Sequence, residues 1–420
     1  MRRGLSALAL VVVLVWSATA WATSVGGELT ASVVYELEEG IAAMPLQAKV
    51  AFSDDLQGKG KLYLELKGTF DPVSEANNLA LGEAYGAAYL GDVDLTIGRK
   101  VISWGTIDAF GPTNYFARLS EAALLQGSIT GEPVTGVQVA YYSPNWSATG
   151  VVLPIFSPQQ LSPMMREALL KEPSGNMILA VIESAEVPER SLVNMEWGAR
   201  VETNLKGWDV QLSAYSGFEP LPGIQLVAPM GMTTSDILMP IPKAEYRRQW
   251  YVGGAVAGFV GDLGIKGEVA YGGPAPFAQG EGEALVAPLS QNKKAWEGTV
   301  ALEYMVPVGS GLLIQGQYIY AGSGSLFSPY QEPAGEPGAE PEPAHYLMGR
   351  LSYNFTLEDS VELTALYSME DGSALLLPGF TYRLPQGVEL KGTLLKNLGD
   401  GEGELDLVPD QVRLSVGYRF

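Results

Sequence analysis

The chain has no cysteine and a single histidine, His345. The first absence excludes a disulfide scaffold, cysteine-ligated zinc or iron–sulfur sites and a cysteine nucleophile. The second leaves one residue for any catalysis that needs an imidazole. Charge is also scarce. Asp, Glu, Lys and Arg make up 17% of the chain, against roughly 25% in soluble domains. Beyond the N-terminal segment, no stretch reaches the ~18 consecutive apolar residues that a spanning helix requires. The charge that is present leans acidic, with a net of −21, and this disfavours nucleic acid, whose phosphates need a basic surface.

In place of these the sequence is rich in glycine (50 residues), proline (27) and tyrosine (20), with 47% hydrophobic residues. Low charge with many aromatics and glycines suits a chain that meets lipid through strands rather than helices. The N-terminal segment is set apart. Arg2 and Arg3 precede an almost wholly apolar run from Leu5 to Trp16. Ala18-Thr19-Ala20 and Ala20-Trp21-Ala22 follow as small-x-small cleavage sequences. This is the pattern of an export signal. Residues 1–22 are therefore read as a signal peptide and 23–420 as one domain.

The rest alternates with period two. Leu29, Ala31, Val33 and Tyr35 interleave with Glu28, Thr30, Ser32 and Glu36. Leu62, Leu64 and Leu66 interleave with Tyr63, Glu65 and Lys67, and Val300, Leu302 and Tyr304 with Thr299 and Glu303. Eighteen such segments are expected near 25–38, 44–53, 60–70, 81–90, 92–104, 133–143, 146–154, 193–205, 208–217, 246–260, 263–273, 294–306, 311–322, 345–356, 360–370, 373–384, 387–397 and 410–420. About ten residues is the length a tilted strand needs to cross a bilayer.

Alternation alone also fits a soluble sandwich; link length separates the two. Links after even-numbered segments are short, as at Gly91-Asp92, Pro144-Asn145, Lys206-Gly207 and Gly261-Asp262. Every long link follows an odd-numbered segment: 105–132, 155–192, 218–245, 274–293 and 323–344. A sandwich has no reason to sort its loops by parity. The expected fold class is all-β, a transmembrane antiparallel up-and-down barrel with short periplasmic turns and long extracellular loops.

Assigning the apolar phase outward puts Lys49, Glu65, Lys67, Asp94, Glu196, Arg200, Glu202, Asp209, Lys266, Glu268, Glu297, Glu303, Arg350, Glu362, Arg383, Glu389, Lys391 and Arg413 in the lumen. Segments eight to twelve supply mainly acids, and segments fourteen to eighteen with the first five supply most of the bases. Two readings follow: a transverse field across the bore, or local pairing along the wall. Strict alternation would send Arg99 outward, at a cost of roughly 2–4 kcal/mol at mid-membrane. A bulge near Gly98 is therefore expected to bring it inside beside Lys100.

The last segment alternates Val412, Leu414, Val416, Tyr418 and Phe420 with Arg413, Ser415 and Arg419. An end on Tyr418-x-Phe420 resembles the assembly signal of bacterial outer-membrane barrels, which implies the barrel-assembly machinery as a partner. The link 105–132 stands where porins carry a loop that folds inward and narrows the channel. The run Gly98-Arg99-Lys100, Trp104-Gly105 and Gly111-Pro112-Thr113-Asn114, with Leu153-Pro154-Ile155-Phe156-Ser157-Pro158 further on, resembles porin-like barrels related to the alginate-export type. Those have Gln where Lys100 stands. The resemblance implies a barrel and transport, without a substrate.

Gly105, Gly111 and Pro112 permit sharp turns in this link, and Ser120 caps a short expected helix over Ala122–Leu125. Arg99, Lys100, Trp104, Asp108, Arg118 and Glu121 are the pore and constriction residues so read. The 155–192 link is expected to hold helices over Met164–Lys171, after Ser162-Pro163, and over Asn176–Glu186. The 323–344 link alternates prolines with Glu332, Glu336, Glu340 and Glu342. It is expected to be a solvated, mobile acidic fringe.

The leading reading is a passive channel for small hydrophilic solutes or ions in the outer membrane of a diderm bacterium. Cations hold a slight edge, no metal or cofactor is implied, and a homo-oligomer stays open. A second reading is a transporter for a hydrophobic or oligosaccharide ligand gated by the 155–192 link. A lipid-modifying enzyme is the third, resting on His345 alone, with no serine matched to it by spacing.

Overall fold

The computed structural model describes residues 24–420 apart from 75–76, 117–130, 160, 162–165, 167–168, 171–174, 230–240, 279–282, 291–292, 328–329, 331–341, 400, 402 and 408. The expected signal peptide therefore lies outside the described residues. So do Arg118, Glu121, the helix expected after Ser120, and Glu332, Glu336 and Glu340 of the acidic link.

The strands are β1 (Ser24–Glu36), β2 (Gly40–Ala43), β3 (Leu46–Asp55), β4 (Gly60–Phe70), β5 (Asn77–Leu90), β6 (Val93–Lys100), β7 (Val134–Tyr142) and β8 (Trp146–Leu153). After helix α1 (Gly175–Ser184) come β9 (Glu196–Leu205), β10 (Trp208–Phe218), β11 (Gly223–Pro229), β12 (Ile241–Glu245), β13 (Arg248–Val260) and β14 (Leu263–Pro274). The chain ends with β15 (Glu283–Pro288), β16 (Ala295–Val306), β17 (Leu312–Ala321), β18 (Ala344–Asn354), β19 (Ser360–Ser368), β20 (Ala374–Leu384), β21 (Val388–Asn397) and β22 (Gln411–Arg419).

Wall strands pair antiparallel with their chain neighbours, and β22 pairs back onto β1 from Glu28↔Arg419 to Glu36↔Gln411. The result is a closed barrel of 18 strands. The count works because β2 and β3 both pair with β1 as one strand, interrupted at Met44-Pro45, where proline has no N–H to give. Phe420 finishes the seam, exchanging backbone hydrogen bonds with Gly27 in both directions. Strands β11, β12 and β15 form a separate three-stranded sheet in the long links.

Link length follows the expected parity. The tight hairpins close at one end, with Lys206 and Gly207 at φ 54° and 89°, the positive pair a type I′ turn needs. At the other end the long links fold on one another. Ile178 of α1, Ile224 of β11 and Leu289 form a buried cluster with Ile182, Leu226 and Ala244 packed around it. A buried Glu219–Arg247 pair, 2.7 Å apart, lies in the same group of links, and Arg247 stacks 3.9 Å from the Phe277 ring centre.

The outer face is apolar, with Leu29, Leu62, Leu64, Leu212, Val300, Leu302 and Val416 exposed. Exposed aromatics collect at two levels. Tyr35, Phe70, Trp197, Trp250, Trp296 and Tyr367 lie toward the long-link end, and Tyr89, Tyr141, Trp146, Phe259, Tyr382 and Tyr418 toward the tight turns. Two such girdles bound the apolar band of a bilayer-spanning barrel.

The bulge expected at Gly98 is not there. Pairing runs unbroken through Tyr85↔Gly98 and Ala84↔Arg99 on one side, and Gly98↔Gly136 and Arg99↔Thr135 on the other. Gly98 instead takes φ 135° and lies close against Tyr85, where a Cβ would come within 2.7 Å of its backbone. The irregularity is one strand pair away, between Leu64 and Leu66. The ladder thus keeps Arg99 on the face of Ile97, at the long-link end of β6. There its Nε donates to Gly82 O at 3.2 Å, a carbonyl in the bulge itself.

At the break in strand β2–β3, Asp71 Oδ1 accepts the backbone N–H groups of Met44, Val73 and Ser74 at 3.1, 2.9 and 3.3 Å. Burial alone would push this carboxyl up, but the donors outweigh it and hold its pKa below the usual value. A depressed folded pKa gives stability that is present above the unfolded value and lost as pH falls through the folded one. Asp71→Ala is expected to cost about 2 kcal/mol at neutral pH, read as a lower urea midpoint in detergent. The gap to wild type should close on acidification below about pH 4; a gap unchanged at low pH would contradict this account.

Candidate functional site

The link between β6 and β7 turns into the bore. Its anchor is Glu268, on the inward face of β14. This carboxylate accepts the N–H groups of Thr106, Ile107 and Thr113 at 2.5, 2.7 and 3.1 Å, and the Thr113 hydroxyl at 2.6 Å. Such N–H bonds to a charged acceptor are each worth roughly 1.5–3 kcal/mol. Two glycines make the approach possible: a Cβ at Gly105 would sit 2.4 Å, and one at Gly111 2.8 Å, from the Glu268 oxygens. Gly105 also takes φ 90°. The Asn114 side chain closes the turn by accepting Trp104 N at 3.0 Å.

From that anchor the link runs along the wall. Tyr115 stacks on Tyr215 and Tyr251 at 5.5 and 5.8 Å. Trp104, 2% exposed, meets Phe116 edge-on at 4.9 Å, in a pocket that Gly198 leaves open on β9. On the other side, Gln317 of β17 donates to Ala109 O at 2.5 Å and Thr299 of β16 to Phe110 O at 2.8 Å. Phe110 holds a left-handed backbone, φ 56°, which costs a non-glycine residue roughly 1–2 kcal/mol. Its ring packs against Phe327 at 5.8 Å, on the lumen-side cluster of Ile319, Tyr346, Leu366 and Leu375.

Among the described residues of this link near the anchor, Asp108 shows its charge to the bore, with its side chain 63% exposed and 3.4 Å from Lys266 Nζ. Lys266 also pairs with Glu303 at 3.1 Å. A pocket of about 30 Å³, the size of one water, lies between link and wall among Asp108, Lys266, Glu303, Gln315, Gln317 and Arg350.

The other lumen charges pair with wall neighbours. Lys49 lies 3.7 Å from Glu28, Lys67 3.2 Å from Glu65, Arg200 3.2 Å from Glu202 and Arg350 2.6 Å from Glu362. Glu389 holds Arg383 at 2.6 Å and Lys391 at 2.8 Å. The pairs are not symmetrical. The Lys67 side chain is 52% exposed and its partner Glu65 9%; Lys391 is 47% exposed and Glu389 6%. Along β3, β4 and β21 the ammonium ends face the bore, and the carboxylates lie against the wall.

These positions revise the sequence reading residue by residue. Trp104 is packing between link and wall, not pore lining. Glu196 and Glu268 point inward as expected but are buried: Glu196 accepts the Tyr215 hydroxyl and Phe218 N at 2.9 and 3.0 Å. Glu297 accepts Ser323 N at 3.1 Å. Glu268 and Glu297 therefore hold links in place, while Glu196 ties β9 to the end of β10. Lys100 lies over the Tyr85 ring at 5.1 Å. Arg413, on β22, pairs with Val34 and Thr393. Among groups beyond the wall strands, burial pushes the Glu404 carboxyl up against the pull of the Ser325 and Tyr346 hydroxyls. Reading the sequence missed Thr299, Gln317 and Tyr115, because no local pattern marks a wall residue that will meet a link far away in the chain.

No protein-family model matches the sequence, and no curated protein matches it significantly. Among solved structures, Pseudomonas aeruginosa OccK11 (OpdR) is similar with a TM-score of 0.52 at 11% identity, over 94% of this chain and 95% of that one. A mutant of the Rh. blastica porin has a TM-score of 0.42 at 12% identity, over 94% and 99%. Salmonella typhi OmpF in complex with daunomycin has 0.42 at 11%, over 94% and 97%. At these identities the OccK11 likeness carries the fold alone.

If Glu268 fixes the link, Glu268→Gln should loosen it. Protease cleavage within 105–116 should become faster, and single-channel current in a planar bilayer larger and noisier. Gly111→Ala should do the same by crowding the carboxylate. Currents as quiet as wild type in both variants would contradict the anchor.

Proposed function

We propose that the protein is an outer-membrane channel for passive diffusion of small hydrophilic solutes or ions. The observation that carries this reading is a link drawn into a closed bore by Glu268, with Asp108 displayed opposite wall bases. A barrel of this strand number leaves an aqueous path unless its loops fill it. On this reading the tight turns face the periplasm and the long links the exterior. Lipid contacts the aromatic girdles, and the assembly machinery reads the strand ending in Tyr418 and Phe420.

Two observations weigh against the other readings. Helix α1 buries Ile178 in the cluster of the outer links, and Leu179 is buried beside it, so these two apolar side chains are not displayed to a ligand. His345 is bonded through Nδ1 to the Tyr318 hydroxyl at 2.7 Å and lies edge-on to Tyr320, as a rim residue at the lipid interface does.

Selectivity in such a bore is set where charges line it. Lys49, Lys67 and Lys391 present the cationic side and Asp108 the anionic one, so the two can be removed separately. In a salt gradient across a planar bilayer, the combined Lys49→Gln, Lys67→Gln and Lys391→Gln variant should shift the reversal potential toward cation preference. Asp108→Asn should shift it toward anions. A barrel that stays silent in salt would reject the channel reading outright.

A further inference from the structure

Proline inside a membrane-spanning strand leaves a ladder position with no donor, where hydrocarbon supplies no water to replace it. Pro378 is such a residue, near the middle of β20. Toward β19 it is paired, opposite Leu363. Toward β21 the pairing runs Leu375↔Asn397 and Leu376↔Lys396, and resumes only at Gly379↔Thr393. The register is the same above and below. Leu377 and Pro378 therefore lie beside Leu395 and Leu394 with one ladder bond missing, the one that Pro378 cannot donate.

Both faces of this gap are apolar. On the lumen side, Leu377 and Leu395 belong to the buried cluster against which Phe110 of the inward link and Phe327 pack. The rings of Phe110, Phe327 and Tyr346 follow one another at 5.8 and 5.6 Å. On the lipid side lies a groove of about 650 Å³, lined by Leu351, Val361, Leu363, Phe380, Leu394 and Leu414, with Pro378 and Gly392 also at its surface. Gly392 lets the Phe380 ring lie across the strand, since a Cβ there would come within 2.2 Å of it. An apolar tract thus leads from the constriction link to the hydrocarbon. A second apolar stretch of the inward wall, around Trp104, Phe116 and Tyr215, lies beneath the inward link; this tract instead ends at a strand pair short of one donor.

We propose that the Leu377–Pro378 gap is a lateral exit, through which a small apolar solute, an alkyl chain or an aromatic ring system, passes from the bore into the membrane. The weakened strand pair is the moving part: Pro378 has no N–H to give, so parting the strands at those two positions breaks only the bond from Leu394 N–H to the Pro378 carbonyl and otherwise separates side chains. This route is distinct from aqueous diffusion, so the two readings can fail independently.

The absence of cysteine from the chain makes a crosslink specific. In Leu377→Cys/Leu395→Cys, the new thiols face each other across the gap, and oxidation would tie it shut. The probe is 1-N-phenylnaphthylamine, whose fluorescence rises on reaching hydrocarbon, added to intact diderm cells producing the protein. Wild type and the reduced double variant should take it up several-fold faster than cells lacking the protein. Oxidation of the double variant should return uptake to background and reductant should restore it, while ionic conductance in a planar bilayer stays unchanged throughout. Pro378→Ala, which restores a ladder donor without a crosslink, should slow uptake as well. Uptake no faster with the wild-type protein than without it would overturn the proposal, as would rates unaffected by both oxidation and Pro378→Ala.

Discussion

Hydrocarbon offers a strand edge no hydrogen-bond partner, and that one constraint orders the rest of the molecule. It requires β22 to find β1, which it does down to the reciprocal bonds of Phe420 and Gly27. It sets the phase of every wall strand, because slipping one residue would turn a leucine face inward and a charged face into lipid. It also makes each departure from the ladder informative. The wall tolerates proline at Met44-Pro45, where Asp71 supplies a carboxylate to the freed backbone. At Pro378 the pairing toward β21 lapses for two residues.

Inside the ring the governing term changes from burial of hydrocarbon to burial of charge. A carboxylate removed from water needs hydrogen bonds in its place, and Glu268 takes five from a link of its own chain. The consequence runs both ways. The carboxylate orders the backbone of Thr106, Ile107 and Thr113, and the ordered backbone allows the carboxylate to be buried. Phe110 is the far end of the same arrangement: its left-handed backbone persists because Thr299 and Gln317 hold the carbonyls on either side of the turn.

Closure, strand number and the parity of the links were legible in the sequence because each is a local regularity repeated many times. Alternation names the faces, and Gly-Asp or Lys-Gly names the turns. The site was legible only in part. Trp104-Gly105 and Gly111-Pro112-Thr113-Asn114 mark a chain that turns sharply, but nothing in them points to Glu268, over a hundred and fifty residues away. Arg99 was misplaced for a related reason. In an ideal ladder the cost of an outward arginine favours a bulge at Gly98 itself. The barrel instead bulges one strand pair over, exposing the Gly82 carbonyl that receives the Arg99 side chain at the rim. Alternation reports which face a residue takes in an ideal ladder; where a ladder breaks depends on three strands at once.

Net charge is a poor guide to what this bore presents. The chain carries −21, yet acids and bases do not occupy equivalent places. Of the acids of the middle strands, Glu268 and Glu297 hold links and Glu196 is buried against the neighbouring strand. Glu65 and Glu389 lie flat against the wall beneath lysines that reach outward into the lumen. At physiological salt the field of any exposed charge decays over about 8 Å, so charges on the links are screened from the depth of the barrel. Among the described residues, what the bore presents is therefore better read from Asp108 and the exposed lysine ends than from the sum over the sequence. The asymmetry has a simple physical origin: a lysine can bury its methylene stem along the wall and keep its ammonium wet, whereas the shorter glutamate stem holds its carboxylate closer to the wall.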